Sequence, residues 1–562
     1  MRYLLLVVSI VLFGCEPRQS VTPTHSSELI GLTRDTQSSD VILTIPKDLG
    51  QVIYYSGFSR GLGSNDIGID RGLIGESKLV SFEAMGDRLL LREHNLRYRG
   101  TSDNAAENTA VDHAFPDYIM ASFEILSEAD SHWVIDASEF IVRDAFDVNR
   151  WLGSMDEGQF TVDAHRSGVY WENTKSFPEN LELEAIVTFT GSANGGYLND
   201  VLSNSEGFSL HLHHSFIKLP DSDYQARAYH PNSGYFVYEW EDYTKPLNHD
   251  LTERVITRHR LVKTDPNAPS SPVVEPIIYY LDPGVPEPVR TALIDGAMWW
   301  AEAFEAAGFE DAYRVEILPE GADPMDSRFN VINWVHRATR GWSYGASIID
   351  PRTGEIIKGH VTLGSLRVRQ DILIAEALLN DADSAEAQAM ALARIRQLSA
   401  HEVGHTIGIA HNFAASESDR ASVMDYPHPL ITLDADGNIT LNDAYDEGIG
   451  LWDKLVVAYG YGDSPVQAIS DIQNSGINYV SDRHARPVDG AFADGHLWDN
   501  HNDPTSEYRR LGDIRRKALS QLNQSALANG DIAARLDDLL VPLYNLPRYQ
   551  ADGVAKQIGG FN

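Results

Sequence analysis

The eleven residues HEVGHTIGIAH, His401 to His411, restrict the local fold more than any other stretch of the chain. The run upstream, from about Ala385 to Thr406, is rich in Ala, Gln, Arg, Leu and Met, which lose little on entering a helix. Leu392, Ile395 and Leu398 recur at steps of three on what would be its inward face. Steps of three and four then carry that face to His401 and His405, so the two imidazoles project from one side a turn apart. Gly408 can take the positive φ that ends a helix, and a chain reversed there can bring His411 back toward the other two rings. Three converging imidazoles suit zinc, which takes about four ligands in a tetrahedron; a catalytic site draws three from protein and leaves the last for water. Glu402, about 100° around the helix from His401, can reach such a water without being forced to ligate the ion. A carboxylate there can accept the proton as hydroxide attacks a carbonyl, then pass it to a leaving amine, which would be peptide hydrolysis at one catalytic zinc. A lone histidine on an apolar face is more often an ordinary core residue. With this chain's own His, Glu and Gly frequencies, however, the full pattern arises by chance in about one chain in ten thousand.

The remaining sequence bounds what surrounds this centre. Its 562 residues suit about three or four domains. Hydrophobic content of 43% with 22% charged residues is that of a chain that folds. The charge balance, 45 Lys and Arg against 81 Asp and Glu, gives a formal −36, which removes the electrostatic attraction nucleic-acid binding relies on and excludes that partner class. The acidity reads as a solvated surface. The single cysteine, Cys15, rules out an intramolecular disulfide. It follows Arg2 and the apolar run Leu4 to Phe13, which has the form of a secretion signal over residues 1–14 and is too short for the about 20 residues that span a bilayer. The ending "LFGC" resembles the lipobox of bacterial lipoproteins, which implies that Cys15 is lipidated. Glu16 resembles the residue that sorts such proteins to an outer membrane. An extracytoplasmic chain held to a bacterial membrane by lipid alone is the expectation.

Residues 15–39, rich in Ser, Thr, Pro and Gln, read as a flexible tether. From 40 to 262 short β-branched and alternating runs such as "VILTI" and "LELEAIVTFTG" indicate a β-rich domain. "KTDPNAPSSPVVEP", residues 263–276, carries four prolines and reads as a linker. Beyond it, 277–462 mixes strands ("IIYYL", "FNVINWVH", "GEIIKGHVTLGS") with helices over Pro288–Ala307 and Ala385–Thr406, and 463–562 is loop followed by helix. The fold class is therefore α+β. No internal repeat is evident.

The motif "HEVGHTIGIAH" resembles the extended zinc signature of metzincin metallopeptidases. Thirteen residues after His411 comes "SVMDYP", where Met424 matches that family's methionine turn, which implies an apolar floor under the ligands. Tyr426 resembles the tyrosine that astacin-like and serralysin-like members use as a displaceable ligand and transition-state donor; the alternative is a tyrosine simply packed in the turn. The stretch from about Pro276 to Gly462, together with "GLGSNDIGIDRG" in the first half, resembles a family of large bacterial metzincin-type proteins, often lipoproteins. Members usually continue beyond the position of Asn562, so a C-terminal segment is expected to be missing. By the same resemblance, "GEIIKGHVTLGS" would be the edge strand that pairs with an extended polypeptide substrate. Matrix-type members are held latent by a propeptide cysteine, and this chain has none left for that role.

Other signals are weaker. His211, His213 and His214 in "LHLHHSF" read as a half-exposed strand, since no carboxylate or cysteine follows at ligand spacing. "LDADGNITL" at 433–441 reads as a hairpin turn, because its glycine comes too early for a calcium loop and no glutamate closes it. "GLGSND" lacks the lysine of a phosphate loop and reads as a glycine-rich turn. His484, His496 and Asp499 have no informative spacing. Two rival functions stand beside proteolysis: an inert, zinc-stabilised surface lipoprotein acting as a binding module, and a zinc hydrolase of non-peptide amides or esters. The presence of Glu402 weighs against the first, since scaffolding needs only metal ligands.

Overall fold

A computed structural model describes residues 29–487, 492–528 and 530–560. The expected signal segment and Cys15 lie outside the described residues. The first half is built on an antiparallel sheet, 12-stranded among the described residues, whose centre is Gln51–Arg60, Gly207–Lys218 and Asn180–Ala193. The register Leu183↔His214 and Val187↔Leu210 aligns the two longest strands. The sheet curls until its ends meet: Trp171 Nε1 donates to the Ser39 carbonyl at 3.2 Å, and Arg34 stacks on the Trp171 ring. Val52, Tyr54, Phe58, Leu183, Val187 and Phe216 fill its interior.

Two expectations are corrected here. The tether over 15–39 ends earlier, because Ile30 is fully buried and Gly31–Arg34 pairs as a strand with Val41–Pro46. The histidines of "LHLHHSF" are buried rather than half-exposed. Their strand lies mid-sheet, and its outer face is covered by the second half of the molecule, where Ile53, Tyr55 and Ile217 pack on Ile348. That is why "QVIYYSGF" reads as a continuous apolar run: both faces of a central strand are buried.

The second half holds a six-stranded sheet in which Arg258–His259, Ile277–Leu281, Tyr313–Ile317, Asn330–Val335 and Glu355–Gly364 run parallel and Tyr344–Ile349 runs antiparallel. "GEIIKGHVTLGS" is therefore not the edge. Its strand Glu355–Gly364 is paired on both sides, and Tyr344–Ile349 is the outermost strand beside it. Alternation alone does not distinguish two neighbouring strands of this kind. The expected helix over Pro288–Ala307 forms as Val289–Met298 and Trp300–Ala306, packed against the site helix, with Trp300 Nε1 donating to the Ala400 carbonyl at 2.7 Å.

The two cores do not divide at the proline-rich stretch 263–276. Tyr235, Ile256 and Leu261, all before it, already belong to the second core with Tyr279, Trp300 and Met424. The reason is pairing: Arg258–His259 lies parallel to Glu355–Ile356, and Tyr235 bridges Ile409. The loop Gly61–Gly72, "GLGSNDIGIDRG", is a second seam. Asp70 there receives two hydrogen bonds of 2.8 Å from Arg337, both side chains being 3% exposed. "LDADGNITL" is a hairpin, Thr432–Leu433 paired with Ile439–Thr440. The C-terminal helices Pro504–Gln521 and Arg535–Asn545 pack through Leu511, Ile514, Leu539 and Leu543 on Ala375 and Leu378 of the helix Leu366–Leu379. No helix among the described residues is long and apolar enough to cross a membrane.

Candidate metal centre

The site helix runs Ala385–Thr406, begun by Ser384, whose hydroxyl accepts from the Ala387 amide. Its last carbonyls, which no helical amide can reach, are met by side chains. Tyr279 Oη donates to the Thr406 carbonyl at 3.0 Å, His259 Nε2 lies 3.1 Å from the same oxygen, and Tyr461 Oη donates to the Ile407 carbonyl at 2.9 Å. Gly408 follows at φ +101°, and a Cβ there would also collide with the Thr257 carbonyl oxygen. Glycine is thus required twice over at the turn that sends the chain back. The returning strand is held by the first half of the molecule: Ala410 N donates to the Gly234 carbonyl and Phe236 N to the Gly408 carbonyl, both at 2.8 Å.

This reversal brings His401, His405 and His411 together, with one ligand-capable atom of each within 4.8 Å of the others. Each Nδ1 is already engaged: His401 with the Val423 carbonyl at 2.7 Å, His405 with the Ile409 carbonyl at 2.9 Å, and His411 with the Asp482 carboxylate at 2.7 Å. Carbonyl and carboxylate oxygens only accept, so in the neutral rings the hydrogen sits on Nδ1 and the lone pair on Nε2. The Nε2 atoms nevertheless face one another, His411 lying 3.2 Å from His401 and 3.1 Å from His405. Lone pairs pointed at lone pairs are not hydrogen bonds, and a shared cation satisfies them. A tetrahedron with bonds of about 2.0–2.1 Å sets its corners about 3.3–3.4 Å apart, close to these separations. The residues fit zinc. Burial, with the neighbouring imidazoles, lowers the pKa of His405 to about 3 and that of His401 well below its ordinary value, so both present neutral rings as ligands must.

Glu402 is buried beside them, and burial raises its pKa to about 8, opposed by Arg394 and by a hydrogen bond with the Gly345 backbone. A dication next to it would favour the ionised form. Met424 is fully buried under the helix, packed so closely that a Cβ at Gly404 would collide with its sulfur. The turn that carries it is fixed by Asp453, which accepts from the Ser422 hydroxyl at 2.6 Å and from the amides of Val423 and Gly450 at 2.9 Å each. Tyr426 stands with its ring 4.8 Å from His411 and 5.4 Å from His401, and its hydroxyl accepts from Arg486 at 2.7 Å. Burial raises the Tyr426 pKa and Arg486 opposes that rise. Phe236 caps His405 at 5.4 Å between ring centroids.

Sequence reasoning missed Asp482, Asp453, Arg486 and Phe236. Asp453 carried a local signal, a carboxylate at the third position of a helix opened by Gly450, where it can cap. Asp482 carried none, lying 71 residues from the histidine it orients. Burial pushes the Asp482 pKa up, but hydrogen bonds from His411 and Arg486, with the charge of the guanidinium, outweigh that and hold it below the ordinary carboxylate value. The other single candidates do not join the cluster. His484 packs on Phe492, His496 Nε2 bonds the Tyr549 carbonyl at 2.7 Å, and Asp499 is buried with Asp425 as its principal charged neighbour.

Comparison with known proteins agrees with this geometry. A family model described as Met-zincin matches residues 383–562, and one described as "Domain of unknown function (DUF5117)" matches residues 72–264. Among curated proteins, none matches the chain. The three clustered histidines and the methionine beneath them all fall inside the first matched segment, and the chain carries in residues 383–562 a metzincin-type domain, the zinc metallopeptidase class in general.

Proposed function

We propose that the protein is a zinc-dependent endopeptidase. The observation that carries this reading is the arrangement of three imidazoles with every Nδ1 engaged and every Nε2 turned inward, beside the carboxylate of Glu402. Zinc, when bound, would supply Lewis acidity to a water and to the scissile carbonyl. His401, His405 and His411 would hold it. Glu402 takes the proton of the attacking water and returns it to the leaving amine, a role suited by a carboxylate whose burial keeps it basic. The hydroxyl of Tyr426 donates to the oxyanion that develops on the attacked carbonyl. The substrate lies as an extended peptide along the outer side of Tyr344–Ile349, the strand whose Gly345 backbone bonds Glu402, so that backbone pairing supplies affinity and side chains supply selectivity.

Purified protein is expected to cleave a denatured protein substrate, to lose that activity on chelation and to regain it with zinc. Glu402→Ala is expected to abolish cleavage while zinc stays bound; full activity in that variant would overturn the mechanism. We also propose that the chain works outside the cytoplasm on a lipid anchor at Cys15. Cys15→Ser should then release it from the membrane fraction, and unchanged membrane retention would refute the anchor.

A further inference from the structure

Arg486 follows the short helix Asp482–Ala485 and touches both sides of the histidine cluster. Its Nε donates to Asp482 Oδ1, and its Nη2 donates to the Tyr426 hydroxyl at 2.7 Å. The guanidinium carbon stands 5.0 Å from the Tyr426 ring centroid and 5.5 Å from that of Phe413, so the planar group is held over two aromatic faces. The second oxygen of Asp482 receives His411 Nδ1 at 2.7 Å. One side chain therefore connects the carboxylate that orients the third histidine with the phenol on the neighbouring turn.

The chemistry of the donor sets the direction of these bonds. A guanidinium has five N–H groups and no acceptor, so in this contact the tyrosine oxygen can only accept. The phenol has a single hydrogen, and with its oxygen occupied by Arg486 that hydrogen is free to turn elsewhere. A glutamine or a water at the same place could accept from the hydroxyl and consume it.

We propose that Arg486 is a positioning residue that fixes Tyr426 as a hydrogen-bond donor toward the oxyanion of a bound peptide and, through Asp482, holds His411 in its ligating orientation. This rests on the peptidase reading for its first part only. The second part concerns the affinity of the folded chain for zinc and stands apart from activity.

The test uses full-length protein with Asp482→Asn, Arg486→Met, Arg486→Lys, Tyr426→Phe and the Arg486→Met/Tyr426→Phe double variant. Zinc affinity is read by competition with a chromophoric chelator, and kcat and KM on one peptide. Asp482→Asn is expected to weaken zinc binding by about 10–100-fold, Arg486→Met by less, and Tyr426→Phe not at all. Arg486→Met and Tyr426→Phe should each lower kcat with little change in KM, and the double variant should be no slower than Tyr426→Phe alone. Arg486→Lys, which keeps the charge but loses the fork, should recover part of the loss. If the two single losses multiply in the double variant, or if Arg486→Met matches wild type in both zinc affinity and kcat, the proposal is overturned. Should Arg486→Met not fold, Arg486→Lys combined with Tyr426→Phe applies the same criterion. A wild type that binds zinc yet cleaves no peptide would refute the peptidase reading, while the affinities of the Asp482 and Arg486 variants would still decide the second part.

Discussion

The chain has two histidine clusters, and they behave as opposites. In the first, His211, His213 and His214 are near neighbours in sequence, yet each meets a different environment. His211 bonds Glu184 at 2.7 Å, His214 lies between Tyr54 and the Ile141 carbonyl, and His213 is buried with neither ring nitrogen paired. A strand turns successive side chains to opposite faces, so His214 faces away from His211 and His213, and Glu184 beside that pair bonds only the first of them. In the second, His401, His405 and His411 span more of the chain but converge, because a helix stacks residues four apart and Gly408 folds the third back. The lesson is that a metal centre depends on the geometry between the residues; their number and proximity in sequence matter less.

The largest effect should come from removing a member of the convergent set. His405→Ala is expected to eliminate bound zinc and detectable proteolysis, whereas His211→Ala should retain one zinc per chain by metal analysis; equal loss in both would erase the distinction. Next in size, Glu402→Gln should lower kcat/KM by about 10²–10⁴-fold with zinc content unchanged, as the proposed general-base role without ligation requires. A third substitution sharpens the contrast between the site and the seam that supports it. Arg337→Met leaves Asp70 charged and buried without its partner, and should cost about 3–5 kcal/mol in urea denaturation, with zinc stoichiometry preserved in the folded fraction. The smallest effect concerns His213. Burial holds its folded pKa at about 4, below the unfolded value of about 6.5, so the unfolded chain binds the extra proton and stability falls as pH drops through that window. His213→Leu should therefore gain on wild type by about 2 kcal/mol at pH 5 and by almost nothing at pH 8. A constant difference across that range would show that His213 does not titrate with folding.

What was legible in the sequence was local. The span Ala385–Thr406, the positive φ at Gly408 and the hairpin near Asp434 follow from periodicity and turn chemistry within about twenty residues, whereas the placement of Met424 rests on the family resemblance of SVMDYP. What was illegible required knowing which strands meet. Tyr344–Ile349 and Glu355–Gly364 have similar patterns, and only pairing makes the former outermost. Asp482 reaches His411, His259 reaches Thr406 and Asp70 reaches Arg337 across long stretches of chain with no shared period. Composition overextends the tether for a related reason: Ile30 and Leu32 are few apolar residues among polar ones, yet a waiting strand edge at Val41–Pro46 gives them a place.

The pairing of residues 234–236 with 408–410 has a consequence for how such a molecule could be switched on. In an enzyme kept silent by a detachable leader, the leader must be able to go without taking the machinery with it. Here, cutting away everything before the proline-rich stretch would strip the hydrogen-bond partners from the turn at Gly408, remove the ring that caps His405, and leave Thr406 without His259. The front half is thus part of the frame that shapes the third histidine's return, and any control of this molecule by proteolysis has to act somewhere that spares it.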